Sequence, residues 1–323
     1  MDLQKILARL NQEISSQNYG KHPAELYDPI GYIMALGGKR LRPMLTLIGA
    51  NLYNDNWDVA LKPAIAVELF HNFTLLHDDI MDKAPTRRGQ PTVHQKWNDN
   101  VAILSGDVML VKAYEMLFDI DSSLLKQVLG EFSQTAAEVC EGQQLDMNFE
   151  SIETVSLEEY LNMIRLKTSV LLGFSLKLGG IIAGVTENEA NKLYNIGLNA
   201  GMGFQLMDDI LDVYGDPKKF GKQIGGDIIS NKKTYLLILA KKLAQNKEQL
   251  ELNSWLSAET FNKTEKVKNV TEIYNSLKIK EKVEVVANNY FHECFQEIEN
   301  LNCSASKKAS LITFFDELTQ RES

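Results

Sequence analysis

The sequence predicts an all-α protein, a single domain of about a dozen helices, and three observations lead there. Apolar residues recur at helical spacing, as at Leu3, Ile6, Leu7 and Leu10 and again at Leu157, Tyr160, Leu161 and Ile164. No alternating run of four or more residues is flanked by hairpin turns. All seven prolines fall at or before Pro217, and no Gly/Ser/Pro linker divides the 323 residues.

The elements follow in chain order. A first amphipathic helix carries Leu3–Leu10. Leu69–Met81 reads as an apolar helix interrupted only by His71, Asn72, Thr74 and His77–Asp79. Lys83–His94 is a looser segment. Ala102–Phe118 and Thr168–Ala183 are apolar nearly all round, so both are expected as buried helices. Gly173, Gly179 and Gly180 cost the second some helix stability and permit close helix contact. Gly215–Lys233 is again loose. Beyond it, helices run without proline, with polar connections near Asn246 and Asn262.

Composition narrows the function. A hydrophobic content of 44% suffices for a large core. The formal net charge of −9 argues against a nucleic-acid binder. No charge-free apolar stretch of about 18 residues indicates a membrane span, and the N-terminus lacks a signal-peptide core. Three widely spaced cysteines, Cys140, Cys294 and Cys303, suggest a reducing compartment, so a cytoplasmic location is expected.

Two acid clusters of the form Asp-Asp-x-x-Asp carry the chemistry. One is Asp78-Asp79-Ile80-Met81-Asp82; the other, 208 − 78 = 130 residues on, is Asp208-Asp209-Ile210-Leu211-Asp212. Residues four apart share a helix face. Asp78 therefore stacks below Asp82, and Asp208 below Asp212, on what are expected to be facing helices. Stacked carboxylates repel unless a cation lies between them, and Mg²⁺ takes such hard oxygen ligands while leaving positions for phosphate. A solvated helix end would also hold acids, but it does not explain apolar residues running up to them, twice.

Cations flank the clusters. Gly37-Gly38-Lys39-Arg40-Leu41-Arg42-Pro43 sets three positive charges behind two glycines, which let a backbone approach an anion. Arg87-Arg88-Gly89, Lys167-Thr168, Lys222 and Lys232-Lys233 follow. Any one alone is more often a solvated charge. Together they suit a substrate whose diphosphate is clamped by Mg²⁺ on one side and by Lys and Arg on the other. His71 is either a satisfied core histidine or a phosphate donor. His77-Asp78 lacks the further metal histidines of the helical phosphohydrolases, since only five histidines exist. Gly201-Met202-Gly203-Phe204 follows no strand and is no dinucleotide turn.

These motifs, in this order, closely resemble the all-trans isoprenyl diphosphate synthases. The resemblance runs from Gly37-Gly38-Lys39-Arg40-Leu41-Arg42-Pro43 through His71, His77–Asp82, Arg87-Arg88-Gly89, Gly106-Asp107, Lys167-Thr168 and Phe204-Gln205-x-x-Asp208-Asp209 to Gly221-Lys222, Asp227 and Lys232. It covers residues 30–240 or so, and the helices after 241 carry no motif. It implies a helical bundle around a central cavity, spanning residues 1–323 as one domain. It also implies condensation of isopentenyl diphosphate with an allylic diphosphate (dimethylallyl, geranyl or farnesyl), and Mg²⁺ at about three ions per site. Position by position, Asp78, Asp82 and Asp208 are expected as the main Mg²⁺ ligands, with Asp79, Asp209 and Asp212 secondary. Arg87, Lys167 and Lys232, with Lys222 nearby, would hold the allylic diphosphate. Lys39, Arg42, His71 and Arg88 would hold isopentenyl diphosphate. Thr168 and Gln205 would lie near the carbocation.

The spacer of two residues in the first cluster resembles the geranylgeranyl and longer-chain enzymes rather than typical bacterial farnesyl synthases. The growing tail is expected to run along the helix upstream of Asp78. Phe73 lies about 7.5 Å up that axis, and Phe70 and Leu69 about 12–13.5 Å up. Phe73 beside small Thr74 suggests a partial floor and a C20 product, with C15 next. A class I terpene cyclase and a non-catalytic subunit of a heteromeric synthase are the alternatives. The first would lack the Lys39/Arg42 site, and the second would have lost acids that are all present here. Family members are usually homodimers, with which the apolar Ala102–Phe118 helix is compatible.

Overall fold

The computed structural model describes residues 2–215 and 224–320. Helix accounts for 79% of the structure, as the periodicity predicts. Its contacts divide it into two compact units. The first comprises Met1–Ser133, Phe174–Tyr194 and Leu301–Ser310; the second comprises Gln134–Gly173, Asn195–Asn300 and Leu311–Ser323.

The first unit opens with α1 (Leu3–Ser16). Asp2 caps it by accepting from the backbone N–H groups of Gln4 and Lys5, and Ile6, Leu10 and Ile14 form its buried stripe. α2 (Ala24–Ala35) and α3 (Leu41–Tyr53) follow. Pro43 sits in the first turn of α3, where a missing N–H leaves no bond unmade. The central element is α4 (Leu61–Met81), buried almost continuously from Leu61 to Phe70. It passes a length-and-composition test for a membrane span, which the sequence reading had not indicated, but 72% of its most apolar window is buried inside the protein. It is a core helix. After it, β1 (Thr86–Arg87) and β2 (Gln90–Pro91) make a two-stranded hairpin inside the segment expected to be loose. α5 (Val93–Lys96) and α6 (Asp99–Leu117) come next.

α6 corrects one expectation. It is not buried all round. Ala102, Ser105, Gly106, Met109, Ala113 and Leu117 are covered, packing chiefly against α4. Leu104, Val111 and Phe118 are 57, 55 and 56% exposed, and Ile103 is also exposed. Its composition is uniform, but only one stripe finds a partner within the unit.

α7 (Ser122–Ser151) is the longest helix among the described residues. In the second unit, α8 (Leu157–Ile164) starts at a reciprocal Ser156/Glu159 capping box. A π-helical turn, Arg165–Ser169, follows α8 and leads into α9 (Val170–Ile182). α10 (Glu187–Tyr214) carries the second acid cluster. The short α11 (Gly226–Ile229) is followed by α12 (Tyr235–Leu243), α13 (Asn246–Ser257), α14 (Lys263–Ser276), α15 (Ile279–Glu299) and α16 (Ala305–Gln320). The expected breaks near Asn246 and Asn262 are real: Asn246 opens α13, and Asn262 caps α14 by accepting from Glu265 N–H. On α15, Ile279, Val283, Ala287, Phe291, Cys294 and Ile298 make one buried face at helical spacing. The core of this unit gathers Tyr160, Leu206, Leu236 and Tyr274.

Candidate active site

In the first unit, the acid cluster closes α4. Asp82 N–H donates to Asp78 O at 2.8 Å, the bond of one helical turn, so the two residues stack as their spacing predicts. Asp78 is half-buried and Asp82 exposed. Asp79 turns the other way, is only 3% exposed, and accepts a forked grip from Arg87. Arg87 Nε lies 3.0 and 2.8 Å from the two Asp79 oxygens, and Nη2 lies 2.8 Å from Oδ1. Arg87 is thereby held on the hairpin, whose turn, Arg88-Gly89, has φ of 54° and 74°. Arg88 Nη1 donates to Gly37 O, tying that turn to the diglycine segment.

Four guanidinium groups, Arg42, Arg88, Arg87 and Arg40, act on His71. Burial first, then these charges, hold its imidazole well below its usual range, so it is neutral. Arg42 Nη1 lies 3.1 Å from His71 Nε2, which fits Nε2 as acceptor and the proton on Nδ1. Burial likewise lowers Arg42 to about 10, and Arg42 Nε is buried with no hydrogen-bond partner. An under-satisfied guanidinium beside other arginines is what an anion completes. Arg40, one of the three cations grouped in the sequence, is different. It is buried, and although its Nε too lacks a partner, its other nitrogens donate to Glu68 and, at 2.6 Å, to Met34 O, so it serves the core rather than a ligand. Lys39 is exposed beside it.

Upstream of the acids, α4 presents aromatic rings. Phe73 packs on His77 and Phe70 with centroids 4.7 and 5.7 Å apart, and Phe70 packs on Phe132 at 5.3 Å. Thr74 Oγ1 donates back to His71 O at 2.8 Å. His77 also lies over Gly106 on α6, with Nε2 3.2 Å from Ile103 O. The imidazole thus has a ring contact with Phe73 and a polar contact with α6.

In the second unit, a polar chain runs through the other cluster. Thr168 Oγ1 donates to Gln205 Oε1 at 3.3 Å, and Gln205 Nε2 donates to Asp209 Oδ1 at 3.3 Å. Tyr160 Oη donates to the other Asp209 oxygen. Asp209 is buried and pushed up to about 7, chiefly by that burial. Its carboxylate is thus occupied inside the protein, while Asp208 is exposed and Asp212 half-buried. Asp212 Oδ2 accepts from Asp227 N–H at 3.0 Å, fixing the start of α11. Asp227 is pushed up to about 6, first by burial; Lys232 lowers it, and Asp212, Asp208 and Asp146 raise it.

Lys167 Nζ donates to Asp146 Oδ2 at 2.6 Å, and Lys232 Nζ lies 3.9 Å from the same oxygen. The two lysines are therefore oriented by one carboxylate. The π turn that carries Lys167 and Thr168 rests directly on α7: a Cβ built on Gly142 would lie 2.2 Å from Lys167 N. Gly142→Ala must therefore push this backbone away. We expect a stability loss of roughly 1–3 kcal/mol, with kcat/KM falling through displaced Lys167 and Thr168. Thermal unfolding together with steady-state kinetics reads both.

The sequence reading missed three contributors. Asp146 lies in an unremarkable polar stretch of α7. Tyr160 read simply as a core aromatic. Lys266 is a buried lysine on α14 that donates to Asn231 Oδ1 at 2.6 Å and steadies the segment before Lys232. Each acts through a tertiary partner that no local pattern announces. Lys222 lies outside the described residues.

The donor set fits Mg²⁺. Each cluster offers carboxylate oxygens in a stacked pair, and among the described residues no three acid, imidazole or thiolate groups form a ready-made cage. Mg²⁺ is commonly held by one or two carboxylates, with water and phosphate oxygens completing its shell.

Comparison with known proteins agrees with these motifs. The model of the polyprenyl synthetase family matches residues 23–274. A short chain isoprenyl diphosphate synthase of Methanocaldococcus jannaschii is 40% identical over 269 residues, covering 83% of this chain and 81% of that protein. A crystal structure of a geranylgeranyl pyrophosphate synthase superposes with a TM-score of 0.96 at 45% identity, over 100% of both chains. A polyprenyl synthase from Caulobacter crescentus CB15, solved with calcium and isoprenyl diphosphate, has a TM-score of 0.83 at 26% identity, covering 99% of this chain and 94% of that one.

Proposed function

Since this chain belongs to the polyprenyl synthetase family, we propose that it is a Mg²⁺-dependent trans-prenyltransferase condensing isopentenyl diphosphate with an allylic diphosphate. The observation that carries the reading is the under-satisfied Arg42 beside neutral His71 and Arg88, in the same unit as the Asp78/Asp82 pair. A cation group and an acid group so placed suit a diphosphate and its metal respectively.

When bound, Mg²⁺ would supply Lewis-acid stabilisation for the charge of the departing diphosphate. Asp78, Asp82 and Asp208 would hold it, with Asp212 supporting and about three ions per site. Asp79 and Asp209, each engaged by a neighbour, set the geometry around them. Arg87, Lys167 and Lys232 bind the allylic diphosphate, with Lys222 completing the group. Lys39, Arg42, His71 and Arg88 bind isopentenyl diphosphate. Thr168 and Gln205 place hydroxyl and amide dipoles near the allylic cation, and apolar helix faces exclude water. No side chain is assigned as base for the final proton.

We assign the product as C20. The buried Phe73, backed by Phe70 and Phe132, supports a floor below the tail, and the geranylgeranyl-forming relative supports its depth. Phe73→Ala is expected to lengthen the product, as read by mass spectrometry; an unchanged distribution refutes the floor. The exposed Leu104, Val111 and Phe118 on α6 support a homodimer. The family match across residues 23–274 supports reading the chain as one functional domain, and the three widely spaced cysteines, Cys140, Cys294 and Cys303, support a cytoplasmic location. Incubation with isopentenyl diphosphate, an allylic starter and Mg²⁺ tests the whole: chain elongation that chelator abolishes is expected. No elongation with any starter rejects the enzyme.

A further inference from the structure

The second unit holds a separate cavity of about 770 Å³ that none of the assigned residues lines. That volume falls in the range of small-molecule sites. Its apolar lining comes from Val155 and Leu157 at the entry to α8, Leu237 and Ile238 on α12, and Leu256 on α13. Lys233, Lys241 and Lys242 line it as well, the last two on the same helix as Leu237 and Ile238.

The lysines are not neutralised in the usual way. Lys233 Nζ donates to Phe149 O and Glu150 O, and Lys241 Nζ to Glu153 O at 3.4 Å. Among the described residues no carboxylate comes within ion-pair distance of any of the three. Carbonyl contacts at and just beyond the end of α7 use part of the donor capacity of Lys233 and Lys241, but they leave the charge in place. Lys233 and Lys241 also act on each other: burial first, then the Lys241 charge, lowers Lys233, against the opposing pull of Glu150. Glu153 and Glu158 also line the cavity, so its formal lining charge is +3 − 2 = +1. A cavity lined by both apolar side chains and ammonium groups is complementary to a molecule with one apolar chain and one anionic head.

We propose that this cavity binds a single-chain amphipathic anion, its head on Lys233, Lys241 and Lys242 and its chain along Leu157, Leu237 and Leu256. The position also couples it to the candidate active site. Lys233 follows Lys232 directly. Phe149 and Glu150, which Lys233 grips, lie one turn after Asp146, the carboxylate that orients Lys167 and Lys232. A head group drawing Lys233 away would therefore disturb the lysines assigned to the allylic diphosphate. Two sources supply this chemistry, a fatty carboxylate and a prenyl diphosphate, and only the second rests on the proposed function.

Calorimetric titration of the full-length protein with oleate and with farnesyl diphosphate, each below its micelle concentration, tests the site. Oleate is expected to bind once per chain. Lys241→Glu with Lys242→Glu, both exposed, is expected to weaken it by at least about tenfold. Leu157→Trp, which fills the cavity while leaving the lysines, should weaken it similarly. A second farnesyl diphosphate equivalent, lost in the same variants, makes a prenyl diphosphate a ligand. Oleate binding alone makes the ligand a fatty carboxylate. Absence of binding by both probes, binding insensitive to both variants, or equal binding of neutral dodecanol overturns the proposal. Elongation activity is measured separately, so failure here leaves the enzyme reading standing, and the oleate arm holds if that reading fails.

Discussion

Asp78→Ala is expected to lower kcat by roughly 10²–10³-fold or more, the scale seen when one charge-stabilising group is removed from an active site. The expectation follows from where the residue sits. Asp78 stands at the last turn of α4, half-buried, and its backbone carbonyl already closes the helix by accepting from Asp82 N–H. The side chain is therefore not what ends the helix. The apolar length of α4 from Leu61 to Phe70, not its acidic tip, anchors it. Far-UV circular dichroism and the thermal midpoint should consequently stay near those of the parent. Asp79→Ala provides the contrast. It strips Arg87 of its forked partner and should disturb the hairpin as well as turnover. Full turnover in Asp78→Ala would remove it from the metal site and leave Asp82 without its stacked partner.

The largest stability effect is expected at Glu68. Its carboxylate is buried on α4 and is shared by Arg40 and Asn72, the latter donating at 3.1 Å. Glu68→Ala leaves the Arg40 guanidinium buried and uncompensated, and breaking such a pair costs about 3–5 kcal/mol. Urea unfolding reads the loss as a lower midpoint. Replacing both partners, Arg40→Met with Glu68→Leu, should recover most of it, because the penalty lies in the orphaned charge rather than in the missing bond. A loss below about 1 kcal/mol for Glu68→Ala, the scale of an exposed pair, would show that water reaches the site. Because Glu68 lies ten residues before Asp78 on the same helix, the double variant also separates stability from catalysis: it should fold and still turn over.

Much of this was legible in the chain. The helices announced themselves by apolar spacing at Leu3–Leu10 and Leu157–Ile164, because helix geometry converts sequence spacing directly into a face. The acid pairs were legible for the same reason: four residues make one turn, whatever surrounds them. The breaks at Asn246 and Asn262 were legible from their polar composition. Uniformly apolar segments were not. Ala102–Phe118 reads the same on every side, and only packing against α4 determines that Ala102, Met109 and Ala113 are covered while Leu104 and Val111 face outward. Charge gave a similar ambiguity. Lys39, Arg40 and Arg42 are near neighbours in sequence, yet Glu68, twenty-eight residues beyond Arg40, draws it into the core, while His71 orients Arg42.

The sequence by itself determined the all-α class, the two stacked acid pairs and the cation motifs, since each depends on interactions within a turn or two of chain. Tertiary structure decided which members of those motifs are occupied inside the protein. Asp79 is taken by Arg87, Asp209 by Tyr160 and Gln205, and Arg40 by Glu68, whereas Asp78, Asp82 and Asp208 keep half-buried or exposed positions. It also supplied Asp146, which orients Lys167 and Lys232 together. The physical reason is common to all of these. A charged side chain's role is set by its desolvation and its partner, and the partner lies wherever the fold brings it, at a separation in sequence that no local periodicity encodes.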